Sequence, residues 1–132
     1  MNTEPRKPRV LYVEDEEALR NVVSEYLEAI GGYEVRAVED GQKGVEMAES
    51  WRPDFILMDV RMPVMSGYEA TRILRSKPET ATTPIYNLTA YSDKNTIELC
   101  QEAGSDGFFT KPPSFKSIIS TIDEVLKRRN SA

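Results

Sequence analysis

The alternation of short apolar runs with helical patterns limits the folds that this chain can adopt. The apolar runs lie at 10–13, 33–38, 55–58, 85–88 and 107–110. Stretches with apolar residues three or four positions apart follow at 19–30, 42–50, 68–75, 96–103 and 115–126. Right-handed crossovers between successive strands place helices on both faces of a parallel sheet. The sequence therefore predicts an α/β fold with a doubly wound, five-stranded parallel sheet.

The helical patterns also predict which side chains face the core. Helices that pack on a sheet carry one apolar stripe, which falls at spacings of three and four. In the first helix these residues are Leu19, Val22, Val23, Tyr26, Leu27 and Ile30. In the last helix they are Phe115, Ile118, Ile119, Ile122, Val125 and Leu126.

Composition excludes several kinds of function. The net charge of −5 argues against direct binding to a nucleic-acid backbone. The chain has no histidine, which excludes histidine triads, histidine-ligated metals and a phosphohistidine in the chain itself. Its one cysteine, Cys100, excludes an intramolecular disulfide.

The length of 132 residues fits one domain, and no run is long or apolar enough to cross a membrane. Residues 1–8 lack the apolar core of a signal peptide, so we expect a flexible leader there and one domain at 9–129. We expect a cytoplasmic protein.

Polar residues follow four of the five predicted strands. Glu14 and Asp15 come after the first strand, Asp59 after the third, Thr89 after the fourth and Lys111 after the fifth. The carboxyl ends of parallel strands meet at one edge of the sheet, where such folds bind their ligands. Three carboxylates at one edge repel each other unless a cation or raised pKa values relieve them, and Mg²⁺ suits a site made only of oxygen ligands.

A carboxylate at this edge can also act as a nucleophile. Asp59 could accept a phosphoryl group as an acyl phosphate, with Thr89 as a hydrogen-bond donor and Lys111 as a fixed positive charge. Each residue alone has an ordinary structural explanation, such as favourable charge at a helix N-terminus for the acids at 14–17 or a solvated side chain for Lys111. Four such coincidences at one edge favour the phosphoryl site.

Four motifs carry a resemblance to a known family. They are V-E-D-E at 13–16, M-D-V-R-M-P-V-M-S-G at 58–67, L-T-A at 88–90 and T-K-P at 110–112. Asp59 lies 44 residues after Asp15, Thr89 follows 30 residues later, and Lys111 follows 22 after that. Over residues 9–129 the chain resembles a CheY-like response-regulator receiver domain of two-component signalling. The resemblance implies a flavodoxin-like sheet with strand order 2-1-3-4-5.

The resemblance also implies roles for individual residues. Asp59 would be phosphorylated by a histidine kinase or a histidine phosphotransfer protein, and would be exposed to meet that donor. The implied Mg²⁺ ligands, for which Mn²⁺ could substitute, are Asp15, Asp59, the backbone carbonyl of Arg61 and, through water, Glu14. Thr89 and Lys111 would bind the phosphoryl oxygens.

Further residues are implied to control the signal. Thr89 and Phe108 would form the switch, in which Phe108 replaces the more frequent tyrosine. Arg61 and Tyr91 would tune the phosphoryl lifetime, and the proline after Lys111 suggests a cis peptide bond. The chain would act on an unidentified protein target as a monomer or weak dimer, either as a single-domain regulator or as the receiver of a hybrid kinase.

Two other functions agree less well with the sequence. A phosphatase of the haloacid dehalogenase type would need an acid two residues after its nucleophile, where this chain has Arg61, and it would have a cap domain. A receiver that serves only as a binding scaffold usually lacks the acid pair, the acceptor or the lysine, and all are present here. Phosphate-loop and dinucleotide-binding motifs do not occur. We therefore expect a phosphoacceptor and not an enzyme.

Overall fold

The computed structural model describes residues 6–90 and 94–131, in which five strands alternate with five helices. The strands are β1 (Arg9–Val13), β2 (Glu34–Val38), β3 (Phe55–Asp59), β4 (Ile85–Thr89) and β5 (Gly107–Thr110). The helices are α1 (Glu17–Ala29), α2 (Gly41–Trp51), α3 (Gly67–Arg75), α4 (Lys94–Ala103) and α5 (Phe115–Ser131). The predicted alternation is confirmed.

The five strands form one parallel sheet in the order β2-β1-β3-β4-β5. The register aligns Val13 with Met58, Asp59 with Leu88 and Thr89 with Thr110. The carboxyl ends of four neighbouring strands therefore lie at one edge, as predicted. The chain has the doubly wound, flavodoxin-like fold that the sequence indicated.

Two apolar clusters cover the two faces of the sheet. Alternate residues of β1 point to opposite faces, so that Tyr12 lies in the cluster beneath α1 and α5 and Leu11 in the cluster beneath α2 and α3. The middle strand β3 is buried along its whole length. The sheet is thus a rigid support for the residues at its edge.

The predicted core face of the first helix was wrong at two positions. Val22 is 50% exposed and Ile30 is 64% exposed, while Val23 and Leu27 are buried. Val22 precedes Val23 by one residue, which turns its side chain about 100° away around the helix. Ile30 lies just past the last residue of α1, where the chain turns toward Gly32 with φ 74°.

Of the predicted leader, the structure describes residues 6–8. Arg6 pairs with Asp54 at 2.9 Å, and the carbonyl of Pro8 accepts a hydrogen bond from Glu34 at 2.9 Å. Among the described residues, no helix combines the length and apolar character needed to cross a bilayer.

Candidate functional site

A pocket of about 400 Å³ opens at the carboxyl edge of the sheet. Its lining includes six of the predicted site residues, namely Glu14, Asp15, Asp59, Arg61, Thr89 and Lys111. They come from the ends of β1, β3, β4 and β5 and the loops that follow them. The parallel register therefore brings together residues that are almost one hundred positions apart in sequence.

Three of the carboxylates that line the pocket lie close together. One oxygen each of Glu14, Asp15 and Asp59 lies within 4.8 Å of the others. Asp15 is exposed and Glu14 is completely buried. Asp59 is only 3% exposed, so the expectation that it is exposed was wrong. Asp59 belongs to β3 itself, between β1 and β4, and the side chain of Lys111 lies against it.

Lys111 is shared between two buried acids. Its Nζ lies 3.0 Å from Asp59 Oδ1 and 3.3 Å from Glu14 Oε1. Burial and the charge of Glu14 raise the pKa of Asp59 to about 7, although Lys111 acts in the opposite direction. Burial lowers the pKa of Lys111, but its contacts with Asp59 and Glu14 raise that pKa above its ordinary value, so the lysine stays charged.

The loop after β3 folds back over the backbone of Asp59. The N–H of Gly67 donates to the carbonyl of Val60 at 2.8 Å, and Ser66 caps α3 through the N–H of Glu69. A Cβ on Gly67 would lie 2.0 Å from the carbonyl oxygen of Asp59. Only glycine fits there, which explains its place in the motif.

Sequence reasoning missed a tyrosine that supports the acids. The Tyr12 hydroxyl donates to Glu14 Oε1 at 3.1 Å, and the N–H of Glu16 donates to Glu14 Oε2 at 3.3 Å. Tyr12 is completely buried within β1. Its position two residues before Glu14, on the same side of a strand, was the available signal.

One predicted residue, Phe108, lies apart from the pocket lining, and another falls outside the described residues. Phe108 is 40% exposed on β5 and pairs in register with the buried Asn87, whose Nδ2 donates to the Met58 carbonyl at 3.3 Å. Tyr91 lies outside the described residues. The peptide bond between Lys111 and Pro112 is cis, as the resemblance suggested.

The donor set of the pocket fits magnesium. The cluster offers only oxygen atoms, which this cation prefers, and the pocket leaves room for the waters that it keeps. Burial first and the charge of Glu14 second raise the pKa of Asp59, and a divalent cation would favour its ionised form again. Asp15, Asp59 and Glu14 are the described side chains that could hold it.

A doubly wound sheet with three clustered acids and a lysine at its carboxyl edge is typical of two-component receiver domains. The family model described as response regulator receiver domain matches residues 10–123, and the chain belongs to that family.

Known proteins of this kind are similar along most of the chain. The polar-differentiation response regulator DivK of Brucella anthropi is 33% identical over 117 residues, which is 89% of this chain and 94% of DivK. The transcriptional regulatory protein PdtaR of Mycobacterium tuberculosis is 37% identical over 91% of this chain, which spans 57% of PdtaR.

A solved structure shows the same likeness. The receiver domain of the sensor histidine kinase PA1611 from Pseudomonas aeruginosa, with magnesium coordinated in its active-site cleft, aligns with a TM-score of 0.86 and 34% identity. The alignment covers 92% of this chain and 99% of that domain.

Proposed function

We propose that Asp59 accepts a phosphoryl group from a phosphohistidine of a histidine kinase or a histidine phosphotransfer protein. The observation that carries this proposal is the contact of 3.0 Å between the buried Asp59 carboxylate and Lys111, beside two further acids. A phosphoryl group at this position would meet a fixed positive charge at the mouth of the pocket. Such preorganised charge is the main protein contribution to phosphoryl transfer.

In the transfer, an oxygen of Asp59 forms a bond to phosphorus as the bond from phosphorus to the donor imidazole breaks. The imidazole leaves with the electron pair of that bond. Lys111 balances the charge of the phosphoryl oxygens, and the hydroxyl of Thr89 donates a hydrogen bond to them. Mg²⁺ or Mn²⁺, held by Asp15, Asp59, the backbone carbonyl of Arg61 and Glu14 through water, would neutralise charge on the phosphoryl group.

Phosphorylation then switches a surface that docks other proteins. Thr89 moves toward the phosphoryl group, and Phe108 turns inward behind it. The exposed ring of Phe108 supports this, because a side chain that moves inward must start outside. Arg61, which borders the pocket, and Tyr91 would tune how long the phosphoryl group lasts.

The phosphodonor acts from another protein in the cytoplasm. The exposed residues Asn21, Val22 and Glu25 on α1 give it a contact surface, since α1 begins beside Glu14 and Asp15. The chain is not an enzyme for a separate substrate, although it slowly hydrolyses its own aspartyl phosphate. It acts as a monomer or weak dimer on a protein target.

Incubation with Mg²⁺ and acetyl phosphate is expected to add one acid-labile phosphoryl group at Asp59, detected by mass spectrometry. Asp59→Asn should abolish the addition because the amide cannot form an acyl phosphate. Asp123→Asn is the matched control, since it makes the same change on α5, away from the pocket. Labelling of Asp59→Asn at the level of the unchanged protein would refute the proposal.

Magnesium is expected to stabilise the folded domain, because it binds only the assembled acid cluster. At a hundredfold excess over its dissociation constant, the free energy of unfolding should rise by about 2.7 kcal/mol. Asp15→Asn, which changes an exposed residue, should reduce this gain without unfolding the domain. Urea titrations in Mg²⁺ and in a chelator measure this gain. If neither protein differed between the two conditions, the metal assignment would be wrong.

A further inference from the structure

A buried hydrogen bond connects Tyr12 of β1 to Glu14 in the acid cluster. We propose that Tyr12 is a positioning residue, whose hydroxyl holds Glu14 so that Lys111 can leave Glu14 for a phosphoryl group on Asp59. This inference rests on the proposed function. It concerns the balance of hydrogen bonds between the resting and the phosphorylated site.

Glu14 needs hydrogen-bond donors wherever Lys111 goes. Its side chain is 0% exposed, and a carboxylate removed from water is costly unless donors replace the water. A buried acceptor left without its partner costs roughly 1–3 kcal/mol, and more when it is charged. The donors around Glu14 therefore determine how easily the site can rearrange.

In the part of the chain that the structure describes, three donors besides Asp59 contact the Glu14 carboxylate in the resting site. Lys111 Nζ lies 3.3 Å from Oε1 and 3.4 Å from Oε2, the Tyr12 hydroxyl lies 3.1 Å from Oε1, and the N–H of Glu16 lies 3.3 Å from Oε2. Burial and the charge of Glu14 raise the pKa of Tyr12, so its hydroxyl keeps its proton and donates. Tyr12 is held in place by its complete burial in the sheet.

Lys111 is the donor that phosphorylation takes away. It already touches Asp59 Oδ1 at 3.0 Å, and phosphoryl oxygens at that position carry more negative charge than the carboxylate. When Lys111 turns to them, the Glu14 carboxylate keeps two of these three described donors, Tyr12 and the N–H of Glu16. Loss of the Tyr12 hydroxyl therefore removes one of three donors at rest but one of two after phosphorylation.

Tyr12→Phe separates these states because it removes the hydroxyl and keeps the ring. Beryllium fluoride with Mg²⁺ is the probe, as a stable mimic of the phosphoryl group. Its affinity for Tyr12→Phe, measured by calorimetry, should fall about tenfold, which corresponds to 1.4 kcal/mol. The affinity for Mg²⁺ alone should change much less, because Lys111 then still donates to the Glu14 carboxylate.

Tyr33→Phe is the matched control. Tyr33 is also buried, and its hydroxyl also donates to a carboxylate, that of Asp123 at 2.6 Å. It precedes β2 at the opposite edge of the sheet. This variant should lose some stability but bind beryllium fluoride like the unchanged protein, so a general loosening of the core would show itself here.

A double-mutant cycle gives a second measurement. In a Glu14→Gln background the buried acceptor is no longer charged, so Tyr12→Phe should have a much smaller effect on beryllium fluoride affinity. Equal affinities of the unchanged protein and Tyr12→Phe, or equal losses in Tyr12→Phe and Tyr33→Phe, would overturn the role of Tyr12. Failure of the unchanged protein to bind the probe would instead reject the proposed function, and this inference with it.

Discussion

Replacing Asp59 by asparagine is expected to stabilise the metal-free domain by about 4 kcal/mol at pH 8, since each pKa unit corresponds to 1.36 kcal/mol. The pKa of Asp59 is raised from 3.8 to about 7 in the folded chain, first by burial and then by the charge of Glu14. A raised carboxyl pKa means that the fold disfavours the ionised form. The contribution of Asp59 to stability is therefore intact below pH 4 and is lost as the pH rises through 7.

Urea unfolding in the presence of a chelator, at pH 5 and pH 8, measures this effect. The difference between Asp59→Asn and the unchanged protein should be less than half as large at pH 5 as at pH 8, because the loss begins near the ordinary pKa of 3.8 and is complete above about 7. Lys111 is not left alone in the variant, because it still contacts Glu14 at 3.3 Å. Asp15→Asn is the control, because this acid is exposed and should give a smaller gain. A gain for Asp59→Asn that does not depend on pH would show that the fold does not disfavour the ionised form of Asp59.

This cost in stability is what makes the site responsive. Any positive charge that neutralises a buried acid stabilises its ionised form. The charge can come from a divalent cation or from a new position of Lys111. Lys111 Nζ also lies 3.0 Å from the buried carboxylate of Asp59. The site thus combines a raised pKa of Asp59 with a positive charge beside its carboxylate.

The fold and the residues that line the pocket could be predicted from the sequence, because both depend on the order of strands and helices along the chain. Strands that alternate with helices determine a parallel sheet, and the residue after each strand must then lie at one edge. The register of Asp59 with Leu88 and of Thr89 with Thr110 shows how closely the edge follows that rule.

The environment of each side chain could not be predicted in the same way. Asp59 was expected to be exposed because it must meet a donor, yet strands on both sides bury it. The hydrogen bond from Tyr12 to Glu14 depends on which way a carboxylate turns inside the protein, and motif spacing does not carry that information. Val22 was misplaced because the buried stripe of α1 is narrower than its apolar pattern.

Arg75, which the sequence analysis did not identify, makes several hydrogen bonds and an ion pair. It lies at the end of α3, and its guanidinium donates to the carbonyl of Gly104 at 2.9 Å and to the carbonyl of Thr83 at 2.6 Å. It also pairs with Asp106 at 2.8 Å, and the same oxygen of Asp106 accepts the N–H of Ile85 at 2.8 Å. One side chain thus joins the ends of α3 and α4 to the starts of β4 and β5.

Arg75→Ala is expected to lower the free energy of unfolding by about 3 kcal/mol, because hydrogen bonds to a charged group contribute more than neutral ones and several acceptors lose their partner together. Arg75→Lys should recover little of this, since one ammonium group cannot reach acceptors that the planar guanidinium contacts on several sides. Arg72→Ala is the control, as it removes an exposed arginine from the same helix turn. Urea unfolding of the three variants at pH 7 measures the differences.

The effect should concern stability and not phosphoryl chemistry. Arg75 lies at the carboxyl end of α3, whereas the loop beside Asp59 leads into the amino end of that helix. Folded Arg75→Ala should therefore still be labelled at Asp59 by acetyl phosphate. Losses of similar size in Arg75→Ala and Arg72→Ala would show that the stabilisation comes from the charge of the helix end and not from the contacts of Arg75. Full stability in Arg75→Lys would show that a positive charge near Asp106 is enough, without the fixed geometry of the guanidinium.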